Sequence, residues 1–223
     1  MSALPGVGVP TTGRRCSARE GGRGRESDRG RRPHDPGTGI LRAMALKSTI
    51  CKADLSVADI DRGVYRDHAL TIARHPSETD ERMMVRILAF ALNGDERLQF
   101  GRGISSDDEP ALWVKDDSGQ IVRWIEVGLP DERLLRRACG KADEVIVLAY
   151  GGRAVDVWWQ KDAATLSRLP KLRVFALAQE ESRALAGLAE RNMELSCTVQ
   201  DGQIWFSSGD TTLSITLRSV FPD

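Results

Sequence analysis

Two carboxylates, Asp108 and Glu126, stand at the two ends of a segment, Ser106 to Gly128, that reads as a β-hairpin. With a tip at Asp116–Gln120 and Lys115 paired to Ile121, Glu126 faces Pro110 and Asp108 faces Gly128. Directly opposed residues share a face, as do residues two apart on one strand, so Asp108 and Glu126 become diagonal neighbours with Cβ atoms roughly 7 Å apart. Two carboxylates at that spacing can hold one Mg²⁺, with waters filling its shell. A bound Mg²⁺ can activate water and neutralise charge on a transferring phosphoryl group. A one-residue slip of register exchanges Asp108 for Glu109. The plainer reading makes Asp108 and Glu109 loop acids and Glu126 a strand-end acid beside Trp124.

A third acid points the same way. Ser77 is expected to cap a helix running to about Leu92, with Met84, Val85, Leu88, Ala91 and Leu92 as its apolar stripe. Glu81 falls inside that stripe, about 20° from Leu88 and Leu92 on the helical wheel. A carboxylate there is costly unless paired or metal-bound. Alternatively, it is a first-turn acid favoured by the helix dipole. After the hairpin, Pro130-Asp131 opens a second helix over about 132–142, with Leu134, Leu135, Ala138 and Cys139 inward and Arg133, Arg136, Arg137 and Lys141 outward. That basic face is either a phosphate contact or a solvated surface. His75-Pro76 reads as a structural strand stop.

The elements that position these groups follow from periodicity. Alternating runs over 46–57 and 64–73, separated by Ala58–Gly63, form a hairpin with His68, Leu70 and Ile72 on one face. Val145–Tyr150 is a continuous apolar run, as in a fully buried strand. Gly151-Gly152 then turns into an expected strand, Ala154–Gln160, that places one of Trp158 and Trp159 inside and one outside. A short helix near 162–169, a strand near 172–177 and a helix near 180–190 follow. Glu194–Val199, Ile204–Ser207 and Leu213–Leu217 read as a closing β-meander.

Composition bounds the function classes. The chain has 223 residues, 41% of them hydrophobic, enough for one sizeable core. Net charge is zero, but residues 1–43 carry nine Arg against four acids, leaving −5 on the remainder. A body of that charge is a poor general polyanion binder. Residues 1–43 lack apolar periodicity and read as a disordered basic leader, with Met44 the expected natural start and 44–223 a single domain. Four scattered cysteines argue against a zinc or disulfide framework. No apolar run approaches a membrane span and no signal core is visible, so the expected location is the cytoplasm.

The motifs His75-Pro-Ser-Glu-Thr-x-Glu-Arg-Met-Met84, Asp95-Glu-Arg-Leu-Gln-Phe100, Asp107-Asp-Glu-Pro110, Trp124-Ile-Glu-Val-Gly-Leu-Pro-Asp-Glu-Arg133 and Trp158-Trp159-Gln160 closely resemble the bacterial YaeQ family over about residues 44–218. The resemblance implies a variant of the PD-(D/E)xK, restriction-endonuclease-like fold: α/β in class, a mixed sheet flanked by helices. Asp108 then stands for the first motif acid, Glu126 for the second, and Glu81 (or Glu78) for the acid that some such nucleases add from their first helix. The departure is Gly128 where the pattern has lysine, with Arg137 and Arg136 the candidates to replace it. The resemblance implies the fold and not an activity; the acidic pocket leads to an expectation of Mg²⁺-dependent phosphodiester hydrolysis, with nucleic acid as a candidate partner. The rival is a catalytically inactive relative that binds protein or nucleic acid.

Overall fold

The computed structural model describes residues 48–101 and 109–222, all within one compact unit, Met44–Asp223. The leader 1–43, the proposed start at Met44 and the motif acid Asp108 lie outside the described residues. The chain builds two mixed sheets and, among the described residues, four helices.

The first sheet opens with β1 (Thr49–Asp59) and β2 (Val64–Arg74), the expected hairpin. Burial alternates strictly along β1, with Cys51, Ala53, Leu55 and Val57 inward. Leu70 and Ile72 of β2 are buried with them, and His68 sits edge-on to Phe90 at 5.0 Å. The meander β8 (Asn192–Gln200), β9 (Gln203–Ser208) and β10 (Thr211–Ile215) joins this sheet through a parallel β1–β8 pairing, in the order β10-β9-β8-β1-β2. The expected single mixed sheet is therefore two. The end strands turn an alternating face to the core and pair with β1 rather than extending the central sheet.

The second sheet runs β11-β7-β6-β5-β4-β3. It comprises β3 (Leu98–Phe100), β4 (Leu112–Lys115), β5 (Ile121–Val127), β6 (Ala142–Ala149), β7 (Leu172–Ala176) and β11 (Arg218–Phe221). β5, β6 and β7 are parallel, so each connection must cross over. α2 (Glu132–Lys141) makes the first crossover, capped by Asp131, whose side chain accepts from the Leu134 N–H. α3 (Arg153–Leu166) makes the second. This corrects the expected strand over 154–160 and the separate short helix near 162–169. Val155, Trp158, Trp159, Ala163 and Leu166 recur at helical spacing, and Val155 and Leu166 are buried. Both indoles are half-buried on one side of the helix. Trp158 donates to the Pro130 carbonyl at 2.8 Å, and Trp159 packs against Phe221.

Two cores result. α1 (Asp80–Asn93) is buried continuously from Met83 to Ala91 and lies against the first sheet and one face of the second. Its cap is Thr79, whose hydroxyl accepts from the Arg82 N–H at 3.1 Å, rather than Ser77. Ser77 instead hydrogen-bonds His75 Nδ1 at 2.6 Å in the turn after β2. α4 (Gln179–Ala186) packs on α1. The other face of the second sheet meets α2 and α3 over Trp124, Val145, Val147, Ala149 and Val174.

Candidate functional site

The β4–β5 hairpin has the expected end pair, Lys115 with Ile121, but the next pairs are Val114–Arg123, Trp113–Trp124 and Leu112–Ile125. Val122 is an extra residue, a β-bulge, and it shifts every later pair by one. Carried one step beyond the ladder, the position opposite Glu126 is Ala111, not Pro110. The expected register, with Glu126 facing Pro110, is thus overturned. Glu109 is half-buried just before β4.

Glu126 is 7% exposed, at the C-terminal end of a parallel strand. Alternation puts it with Trp124 on the α2–α3 face, and the Trp124 indole donates to its carboxylate at 2.9 Å. Burial pushes its pKa from the ordinary 4.5 up to about 7, opposed by the Trp124 N–H, the charge of Arg82 and the Ala111 backbone N–H. Desolvation outweighs all three, so near neutrality this carboxyl is poised between its two forms.

Glu81 rides on α1, against the opposite face of that sheet, and is half-buried. It accepts a hydrogen bond from Ser182 of α4 at 2.6 Å. Among the described residues no three His, Cys, Asp or Glu side chains converge as a metal site. The three-acid arrangement, which includes Asp108, reaches outside them.

Glu78, the alternative first-helix acid, belongs to a buried charge cluster that the sequence did not reveal. Glu78, 2% exposed, accepts from Arg86 Nη1 at 2.7 and 2.8 Å and from Arg82 Nη1 at 2.8 Å. Arg86 is 1% exposed and lies over the Phe100 ring at 5.2 Å. The Glu78 carboxylate is therefore fully engaged within the protein. Its visible signal was an arginine in the middle of an apolar helix, Met83-Met-Val-Arg-Ile-Leu-Ala-Phe-Ala91. Arg82 faces further groups: its charge acts on Glu126 and also on Tyr150, whose hydroxyl pKa burial raises while Arg82 opposes the shift. The expected substitutes for the lysine lie elsewhere. Arg136 and Arg137 are exposed on α2, and Arg136 is ion-paired to Glu132.

Gly128 has a physical reason to be glycine. Its φ is +96°, where a side chain is strained, while the space itself would admit a Cβ in ordinary contact with Tyr150 Cε1 at 3.7 Å. The strand ends in a turn that leaves no relaxed place for a lysine.

Fold and site together define an α+β protein of two mixed sheets, with a buried, near-neutral carboxyl at the end of a parallel strand and an arginine cluster on the adjoining helix. The chain belongs to the YaeQ family, whose model, described as YaeQ protein, matches residues 44–217. The Uncharacterized protein YaeQ of Salmonella typhi is 48% identical over 176 residues, spanning 79% of this chain and 97% of its own. The Escherichia coli protein of the same name is 47% identical over the same shares. The crystal structure of YaeQ from Xanthomonas axonopodis pv. citri superposes with a TM-score of 0.75 at 44% identity, over 78% of this chain and 98% of that one. That of Pseudomonas syringae gives 0.75 at 36% identity, over 79% and 97%. Among the described residues no helix is long and apolar enough to cross a membrane.

Proposed function

We propose that the protein is a Mg²⁺-dependent phosphodiesterase of the PD-(D/E)xK type, acting on nucleic acid, with Glu126 as the central ligand. The observation that carries this reading is Glu126 itself: a desolvated carboxyl, raised to about 7, at the C-terminal end of a parallel strand. Such perturbation concentrates at functional sites. A divalent cation supplies the charge that the burial of Glu126 leaves unbalanced. Glu126 and an acid of the 107–109 loop, Asp108 or Glu109, would hold the ion. The ion's chemistry is activation of water and neutralisation of phosphoryl charge.

Arg82, rather than Arg137, takes the place of the missing lysine in this reading, because its charge is the one felt at Glu126. Its remaining donors can stabilise negative charge near the carboxylate. The φ of Gly128 favours a second reading, a nuclease-like module that binds nucleic acid or protein without cleaving, since the usual lysine has no relaxed backbone there. Cleavage of single-stranded, duplex and branched DNA and RNA with Mg²⁺ or Mn²⁺ separates the two. The hydrolytic reading expects metal-dependent cleavage that Glu126→Gln abolishes. Binding of the same substrates without cleavage selects the second reading.

A further inference from the structure

A cavity of about 400 Å³ opens between the two sheets, away from Glu126. Ile146, Leu148 and Phe175 of β6 and β7 form one wall, Val199 and Ile204 of β8 and β9 the other, and Leu92 of α1 one side. Its origin is geometric. α1 separates the sheets and ends at Asn93, and no described element fills the gap beside it. The apolar side chains Ile146 and Phe175 consequently remain partly exposed on central strands, where Leu148 is 3% exposed. This volume lies within the range of small-molecule pockets, and an apolar lining with a few polar groups is their usual make-up.

The polar rim selects the ligand. Asp59, Asp61, Arg62 and Asn93 line it. Both oxygens of Asp59 are taken by Arg62, through its backbone N–H at 2.8 Å and Nε at 2.6 Å. Both oxygens of Asp61 are taken by the backbone N–H groups of Asp201 and Gly202, at 2.7 and 2.9 Å. Arg62 Nη2 reaches Asp59 and the Leu92 carbonyl at 2.5 and 2.7 Å. Among the described residues Arg62 Nη1 has no such partner, so the rim offers a donor to a ligand acceptor. Asp59 neutralises Arg62, and Asp61 leaves the rim net negative, which disfavours an anion. A cation would be desolvated against apolar walls with the carboxylate oxygens already bonded.

We propose that this cavity binds a neutral, largely apolar small molecule bearing one hydrogen-bond acceptor, which Arg62 Nη1 contacts while the body fills the space between the sheets. The neutral naphthyl ketone prodan has this chemistry and reports its surroundings by fluorescence. Titrated into the full chain, it should bind at one saturable site with blue-shifted emission and raise the melting temperature. Dimethylaminonaphthalene, lacking the ketone, and the anionic anilinonaphthalene sulfonate should each bind several-fold more weakly. Ile146→Trp and Leu217→Trp each enlarge a side chain that lines the cavity, and each should weaken prodan binding by about tenfold or more. The proposal is overturned by absence of saturable binding, by sulfonate binding as tight as the ketone, or by folded Trp variants that bind like the wild type. If neither Trp variant folds, the ketone–hydrocarbon comparison on the wild type decides, and equal affinity overturns the acceptor contact.

Discussion

Glu126 sets the behaviour of the site at the scale of one residue. Its folded pKa lies above its unfolded value, so the protonated form is favoured by folding and ionisation is penalised. The stability this contributes is complete below about pH 4.5 and is lost as pH rises through about 7. A shift of that size corresponds to about 3 kcal/mol. In Glu126→Gln the amide keeps an acceptor for Trp124 and cannot ionise. Urea melts should therefore show the wild type losing stability relative to the variant across that window, and parallel curves would contradict the assignment. Arg86 makes the opposite case, a charge kept buried by its partner. Arg86→Ala leaves Glu78 with Arg82 alone, and thermal or urea unfolding should report a loss of about 3–5 kcal/mol. None of these consequences was legible from composition. The acids were visible as residue types, but the burial of Glu126 and the sequestration of Glu78 depend on what packs over them.

Among the elements, sequence periodicity located most of the frame and misread two parts of it. β1, β2, α2, β6 and β7 follow from alternation, caps and an apolar run, because each has one buried face or a fully buried body. α3 was misread because Val155, Val157, Trp158 and Trp159 are strand-favouring residues after a Gly-Gly turn. Its helical spacing emerges only when the window extends to Leu166, and the parallel pairing of β6 with β7 requires a crossover there. The bulge at Val122 could not be read from sequence. One extra residue near a hairpin tip costs little locally and is settled by the packing of Trp124 and Ile125 on opposite faces. β3 and β11 were missed because three- and four-residue strands carry too little pattern. The helix α3 also holds the loop after Glu126. Trp158→Phe removes the indole bond to the Pro130 carbonyl and should cost about 1 kcal/mol in unfolding experiments, with faster amide exchange at Gly128 and Leu129. Unchanged exchange there would show that the loop is held by other contacts.

The whole molecule places the near-neutral carboxyl at one end of a parallel sheet and an apolar cavity between that sheet and a second one. The resemblance read from its motifs was correct as to family, and the expected single sheet became two because the C-terminal meander joins β1. The proposed chemistry requires that Glu126 exchange its proton for a divalent cation. Calorimetric titration of the full chain with Mn²⁺, above and below about pH 7, tests this most directly. The account predicts saturable binding that releases a proton, weakens as pH falls below that value, and disappears in Glu126→Ala. Absence of Mn²⁺ binding at any of these pH values, or binding that Glu126→Ala leaves unchanged, would contradict it.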